Sequence, residues 1–227
     1  ELESAARSVS GVSSLSAKIA NSSNETAITG TASSLATQGS WAINVSSLAQ
    51  SQSIASTAFE SGDASLGTGT LRFNFGALDY TAGSNFDFTP DAEQSGFEIT
   101  IDSSNNSLSG IATTINQASI GINASVIDTG DGVKLVLASS DTGEQKAFTL
   151  TVDSADAQLN ALAFNETRFS GDGLDTELLQ AATSAEFTVN GLAVKRDTNL
   201  VIDVIDGLTL NLKETTTSAV NVSVAAD

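Results

Sequence analysis

Apolar and polar residues alternate along much of this chain, which is the pattern of half-buried β-strands. Trp41, Ile43 and Val45 occupy every second position of one such run, so they face the same side of a strand. Residues 27–32 form a possible strand before it. Later runs of the same kind cover residues 71–75, 97–101, 187–194, 199–204, 208–212 and 220–224. The pattern predicts a mainly β protein with minor α content, and we expect the Trp41 strand and the late strands to share one sheet.

One helix is predicted among these strands, because four apolar residues recur at helical spacing behind Ser107, a suitable N-cap. They are Leu108, Ile111, Ile115 and Ala118. Three strands are predicted after this helix, at 120–127, 133–138 and 147–152. Asp-Gly and Thr-Gly pairs between the first two supply the positive φ that a tight turn needs. Asn190-Gly191 is the strongest hairpin signal in the chain.

The N-terminal segment carries a different period, which predicts a helical stump over residues 1–23. Its apolar stripe is Leu2, Val9, Val12, Leu15 and Ile19. Because the other residues are mostly Ser and Ala, this helix needs a partner to be stable. The chain starts on Glu1 without Met, so we expect a piece of a longer protein.

Several segments are predicted to connect these elements. Residues 48–59 are rich in Ser, Gln and Ala and favour a connection, with a domain boundary after Ser61. A loop is predicted between the runs at 71–75 and 97–101, marked by Gly83, Asn85 and Pro90. Residues 153–175 mix a short helix with a Gly-Asp loop.

Composition excludes several classes of function. The 227 residues include 27 Asp and Glu against 9 Lys and Arg, a net charge of −18 that repels nucleic acid and anionic membranes. Cys and His do not occur, which excludes thiolate zinc sites and Ser/His or Cys/His catalytic pairs. No apolar run approaches the roughly 20 residues of a membrane-spanning helix. We therefore expect no membrane insertion and no cofactor.

Acidic side chains are one group of candidates for a binding or catalytic site. Asp128, Asp131 and Asp141, or Asp172 and Asp175, lie in loops of the kind that bind calcium, but their spacing does not match a calcium-binding loop and favours ordinary turns. A glycosidase would need two close carboxylates, yet so many acidic residues make any pair uninformative. The Gly67–Thr70 segment is similar to a phosphate loop only superficially. We predict no catalytic, cofactor-binding or metal-binding residues.

Three sequence motifs resemble one protein family, the bacterial flagellar filament cap proteins (FliD, a hook-associated protein). Residues 39–52 resemble its N-terminal signature, an aromatic strand that runs into Leu-Ala-Gln. Ile115-Asn116 resembles the flagellar "IN" motif. Residues 187–213 resemble the start of the C-terminal conserved region, including Arg196 and Asn199, for which a solvated turn is the alternative interpretation.

The resemblance implies two β-rich lobes. One would be discontinuous, from residues 24–61 and 181–227, and the other inserted, at 62–180, with the IN-like motif around 107–152. It further implies a non-enzymatic protein that forms a ring-like oligomer with copies of itself at the filament tip. There it would promote flagellin assembly and prevent subunit loss, after export by the flagellar apparatus without a cleaved signal peptide. The alternative function is an extracellular adhesin that binds host mucin or glycans. Interaction residues are unknown from sequence.

Overall fold

The computed structural model describes residues 18–171 and 175–226, and it divides the chain into two units. The first unit runs up to Leu48 and resumes at Ala185, and the second is Ala49–Ser184. The strands, in chain order, are β1 (Lys18–Ser22), β2 (Ile28–Ala32), β3 (Gly39–Ser47), β4 (Ser53–Ala55), β5 (Gly69–Thr81), β6 (Asn85–Pro90), β7 (Phe97–Ile101), β8 (Ile122–Asp128), β9 (Val133–Ser139), β10 (Ala147–Ser154), β11 (Glu177–Gln180), β12 (Ala185–Val189), β13 (Leu192–Arg196), β14 (Leu200–Ile205), β15 (Leu208–Leu212) and β16 (Val220–Ala226).

The helices are few and short. They are α1 (Leu108–Ala118), α2 (Ala157–Asn160), α3 (Glu166–Ser170) and a 3₁₀ turn at Glu144–Lys146. None of them, within the described ranges, has the length and apolar content to cross a bilayer. The prediction of a mainly β protein is confirmed.

The first unit is built from two antiparallel sheets. The larger has the strand order β1-β16-β3-β12-β13, and the smaller has the order β14-β15-β2. The Trp41 strand therefore does pair with late strands, since β3 lies between β16 and β12. The prediction of one sheet is only partly right, because β14 and β15 pair with β2 instead.

Alternation on β3 and its neighbours produces the core of the first unit. Ile43 and Val45 are fully buried, together with Val222 on β16 and Phe187 on β12. The hairpin predicted at Asn190-Gly191 is confirmed, with both residues at positive φ (50° and 85°), as a type I′ turn requires.

The helical stump predicted over residues 1–23 is wrong at its C-terminal end. Ile19 lies in β1, which pairs with β16, and its side chain is 43% exposed. Pairing with a neighbouring strand satisfies this backbone better than an isolated Ser- and Ala-rich helix would. The rest of the predicted stripe, Leu2, Val9, Val12 and Leu15, lies outside the described residues.

The second unit contains two four-stranded antiparallel sheets and α1. One sheet has the order β10-β5-β6 with β7 also paired to β5, and the other has the order β11-β4-β9-β8. The predicted helix is confirmed as α1, whose N-terminus is capped by the Ser107 hydroxyl, 3.1 Å from the Gly110 nitrogen that donates to it. Ile111 and Ile115 of this helix are fully buried in a core that includes Phe73 and Phe148.

Two predicted connections prove to be strands. Residues 53–55 form β4 between β9 and β11, with Ile54 1% exposed, so the first boundary lies at 48/49 and not at 61/62. The second boundary lies at 184/185 and not at 180/181. The predicted loop around Asn85 and Pro90 contains β6, an edge strand that ends at the proline, where a missing N–H costs no ladder bond.

Two side-chain amides in the second unit form hydrogen bonds with backbone groups on strand edges. Gln52 is fully buried, and its Oε1 accepts from the Phe148 N–H at 2.5 Å while its Nε2 donates to the Phe148 carbonyl at 3.0 Å. Asn116 does the same at Ala124 on the edge strand β8, with both distances 2.8 Å. Each amide therefore takes the place of a neighbouring strand at one position, which closes an otherwise open edge.

Candidate interaction surfaces

Two of the acidic side chains that suggested calcium, Asp128 and Asp175, have partners within the chain. Asp128 accepts from the Gly130 N–H at 2.9 Å, an Asx turn at the end of β8. Asp175 forms an ion pair with Arg168, and Asp172 lies outside the described residues. Within 18–171 and 175–226, no group of three or more acidic side chains is arranged to hold a metal ion.

The segment Gly67–Thr70 does not form a phosphate cradle. The Thr68 N–H donates to the Asp156 carboxylate at 2.9 Å, so a negative charge already occupies the position that a phosphate would need. The hydroxyl of Ser154 also donates to the Thr68 carbonyl at 2.7 Å. This segment therefore serves to connect β5 with the end of β10.

Arg196 and Asn199, which the family resemblance singled out, hold neighbouring strands together. The Arg196 Nε donates to both carboxylate oxygens of Asp203, at 2.9 and 3.0 Å. This hydrogen bond, more than the attraction between the charges, holds the pKa of Asp203 below its usual value. The Asn199 carbonyl accepts from the Leu212 N–H at 2.9 Å, which ties the start of β14 to β15.

The first unit exposes apolar side chains on two edge strands. Leu192 on β13 is 74% exposed, and Leu200 and Ile202 on β14 are 57% and 68% exposed. We call these three residues the edge-strand surface. A groove of about 390 Å³ in the same unit is lined by Leu192, Asp206 and Trp41. Trp41 is half-buried, whereas Ile43 and Val45 of the same strand are fully buried. Apolar side chains on open strand edges are typical of contact surfaces.

The second unit has a separate apolar groove on the face formed by β8, β9 and β11. Its volume is about 530 Å³, and two large apolar residues that line it, Ile127 and Leu179, are 46% and 56% exposed. Lys134 also lines it, with its Nζ 3.9 Å from a Glu177 carboxylate oxygen. Because apolar walls dominate this groove, it suits an apolar contact better than a polar ligand.

The sequence alone does not predict which of these apolar residues are exposed. Leu200, Ile202 and Val204 alternate as the residues of a half-buried strand do, so the period alone suggests that they face a core. Only the sheet order shows that β14 is an edge strand and that Leu200 and Ile202 are exposed. Central and edge strands can show the same alternation of apolar and polar residues, so the sequence pattern does not tell which strand lies at the edge of a sheet.

Antiparallel sheets in a split unit, a second β unit inserted into it, and apolar side chains on edge strands define a two-unit, mainly β protein. Comparison with known proteins identifies the family. The N-terminal model of flagellar hook-associated protein 2 matches residues 1–52, and the C-terminal model matches residues 182–227. The B-type flagellar hook-associated protein 2 of Pseudomonas aeruginosa PAO1 is 34% identical over 209 residues, which are 88% of this chain and 41% of that protein. The flagellar hook-associated protein 2 of Escherichia coli K12 is 31% identical over 182 residues, which are 80% of this chain and 36% of that protein.

Solved structures agree with these relatives. The crystal structure of FliD (HAP2) from P. aeruginosa PAO1 has a TM-score of 0.69 at 30% identity and covers 88% of this chain and 85% of that one. The D2-D3 domains of the flagellar cap protein FliD from E. coli have a TM-score of 0.77 at 29% identity, with 93% and 100% covered. The chain belongs to the flagellar hook-associated protein 2 (FliD) family. It spans about two fifths of the length of the curated relatives, 41% and 36% of the two named.

Proposed function

We propose that this chain is the β-rich part of a flagellar cap protein, which assembles with copies of itself at the filament tip, promotes flagellin assembly and prevents subunit loss. The observation that carries the proposal is the match over the full length of the E. coli FliD D2-D3 structure. Its role is structural and not catalytic. The protein acts outside the cell after export by the flagellar apparatus.

The surfaces of the chain support a role in contacts between proteins. Copies with a net charge of −18 repel one another, so their association needs contacts that bury apolar surface. The edge-strand surface of the first unit and the groove of the second offer such surface. Small apolar contacts surrounded by like charges favour an assembly that holds its members weakly enough to rearrange, which a cap needs as each flagellin enters.

The test is genetic. Deletion of the gene in its own bacterium is expected to shorten or abolish filaments and to release flagellin into the medium, measured by immunoblot, and the full-length gene restores both. Normal filaments and no released flagellin after deletion would overturn the proposal. An adhesion defect with normal filaments would support the adhesin alternative instead, which stays a prediction.

The structure offers a further variant for the same strain. Ser47 on β3 and Glu186 on β12 are register partners, so a two-residue turn can join the strands when the second unit is removed. The full-length gene without residues 49–184 shows whether capping depends on the second unit. A matched full-length gene with Leu200→Asn and Ile202→Asn tests the edge-strand surface, and released flagellin is the readout for both.

A further inference from the structure

The hairpin turn between β12 and β13 contains the only asparagine of the sequence that is followed by glycine, Asn190. A glycine has no side chain to shield its nitrogen, so an asparagine side chain is most open to attack by the backbone when glycine is the next residue. Both residues are exposed, and open space surrounds Gly191 where a side chain would stand. The turn therefore combines the reactive sequence with access for water and hydroxide.

The same asparagine is held on two sides by one residue of β3. The Asn190 Oδ1 accepts from the Ala42 N–H at 2.9 Å, and the Asn190 N–H donates to the Ala42 carbonyl at 2.8 Å. The first bond fixes the side-chain carbonyl against β3. To reach the Gly191 nitrogen, the side chain must rotate and break this bond.

We propose that Asn190 is a site of spontaneous deamidation, and that its hydrogen bonds to Ala42 suppress the reaction in the folded protein. Hydroxide removes the proton of the Gly191 N–H, and the nitrogen then bonds to the Asn190 Cγ. The Cγ–Nδ2 bond breaks and ammonia leaves, which gives a cyclic succinimide. Water opens this ring at either carbonyl and produces aspartate or isoaspartate. The net change is the addition of one water and the loss of one ammonia.

The products are less compatible with this turn than asparagine is. A new carboxylate would share a groove with Asp206, so the two negative charges repel each other. Isoaspartate also adds a backbone carbon to a two-residue turn, and this shifts the register that joins β12 to β13. Deamidation at this position therefore weakens the attachment of the hairpin to β3.

Peptide mapping by mass spectrometry tests the proposal on the whole chain. The protein is incubated at mildly alkaline pH, once folded and once in concentrated urea, and each asparagine is followed over time. In urea, Asn190 is expected to react fastest; exposed Asn123, which precedes alanine, is the internal control. In the folded protein, the reaction of Asn190 is expected to slow by about five- to tenfold, the order that the one hydrogen bond to its side chain supplies.

Hydrogen exchange identifies the cause of the slowing. The ratio of the Asn190 deamidation rate in urea to the rate in the folded protein is expected to follow the protection of the Ala42 amide against hydrogen exchange. Deamidation and exchange both require the hydrogen bond from the Ala42 N–H to the Asn190 Oδ1 to open. Equal Asn190 rates in folded and unfolded protein would overturn the proposal, and so would another asparagine that reacts faster in urea. A folded-state rate far above what Ala42 protection permits would overturn the role of Ala42.

Discussion

Gln50 and Thr183 exchange both backbone hydrogen bonds, at 2.8 Å from the Gln50 nitrogen and 3.1 Å from the Thr183 nitrogen. One residue lies at the start of the second unit and the other at its end, so the two ends of the insertion are paired. An inserted domain whose ends are paired does not depend on its host to bring them together.

Residues 49–184 alone are therefore expected to fold. Circular dichroism in urea is expected to show one cooperative transition, and the amide NMR spectrum to be well dispersed. The matched control is residues 62–180, the insert predicted from the sequence. That fragment loses β4 and with it Ile54 and Gln52, so it is expected to unfold without a sharp transition. Equal cooperativity in the two fragments would contradict the importance of residues 49–61.

Gln52 provides a second prediction, because its fully buried amide is the partner of both backbone groups of Phe148. Gln52→Ala leaves these groups without their partner, and the free energy of unfolding is expected to fall by about 2–5 kcal/mol in urea denaturation. Gln50→Ala is the control: this side chain is exposed and contacts Gln180, so the change is expected to stay within about 0.5 kcal/mol.

A third Gln52 variant separates hydrogen bonding from packing. Gln52→Met keeps nearly the same volume and removes the hydrogen bonds, so it is expected to be nearly as unstable as Gln52→Ala. If Gln52→Met matches the unsubstituted chain, packing and not the amide pairing stabilises this position.

Asn116 gives a third prediction, because its exposed side chain bonds to both backbone groups of Ala124 as Gln52 does to those of Phe148. Asn116→Ala leaves the N–H and carbonyl of Ala124 on edge strand β8 to water, and a loss of about 1 kcal/mol is expected from chemical denaturation. Asn123→Ala, on the same strand, removes only an exposed hydrogen bond to Ser140 and is expected to change little. A larger effect at Asn123 than at Asn116 would refute the edge-closing role.

Local signals account for the parts of the fold that the sequence predicts. Ser107 and the spacing behind it predict α1, and Asn190-Gly191 predicts its hairpin, because cap and turn residues act on their own backbone. β4 was missed because a three-residue strand is too short to show a period. The contact between Gln52 and Phe148 could not be predicted from the sequence, because the two residues are distant along the chain and only tertiary packing brings them together. The exposed leucines of the edge strands depend on sheet order in the same way.

The ion pair between Arg196 and Asp203 gives a prediction about pH. The pKa of Asp203 is lowered from 3.8 chiefly by the hydrogen bond from Arg196, so the folded value lies below the unfolded one. The stabilisation from this pair is therefore present above the unfolded pKa and is lost as pH falls through the folded pKa. Arg196→Gln is expected to move the pKa of Asp203 up toward 3.8, measured by carboxyl carbon NMR during an acid titration.

Asp102 is the internal control for this titration. Its pKa is also lowered, but by hydrogen bonds from the side chain and backbone of Ser104, and Arg196 has no part in that. The Asp102 value is expected to stay the same in Arg196→Gln and to rise in Ser104→Ala. A shift of Asp102 together with Asp203 in Arg196→Gln would indicate a general change of the fold, and an unchanged Asp203 would show that the guanidinium does not set its pKa.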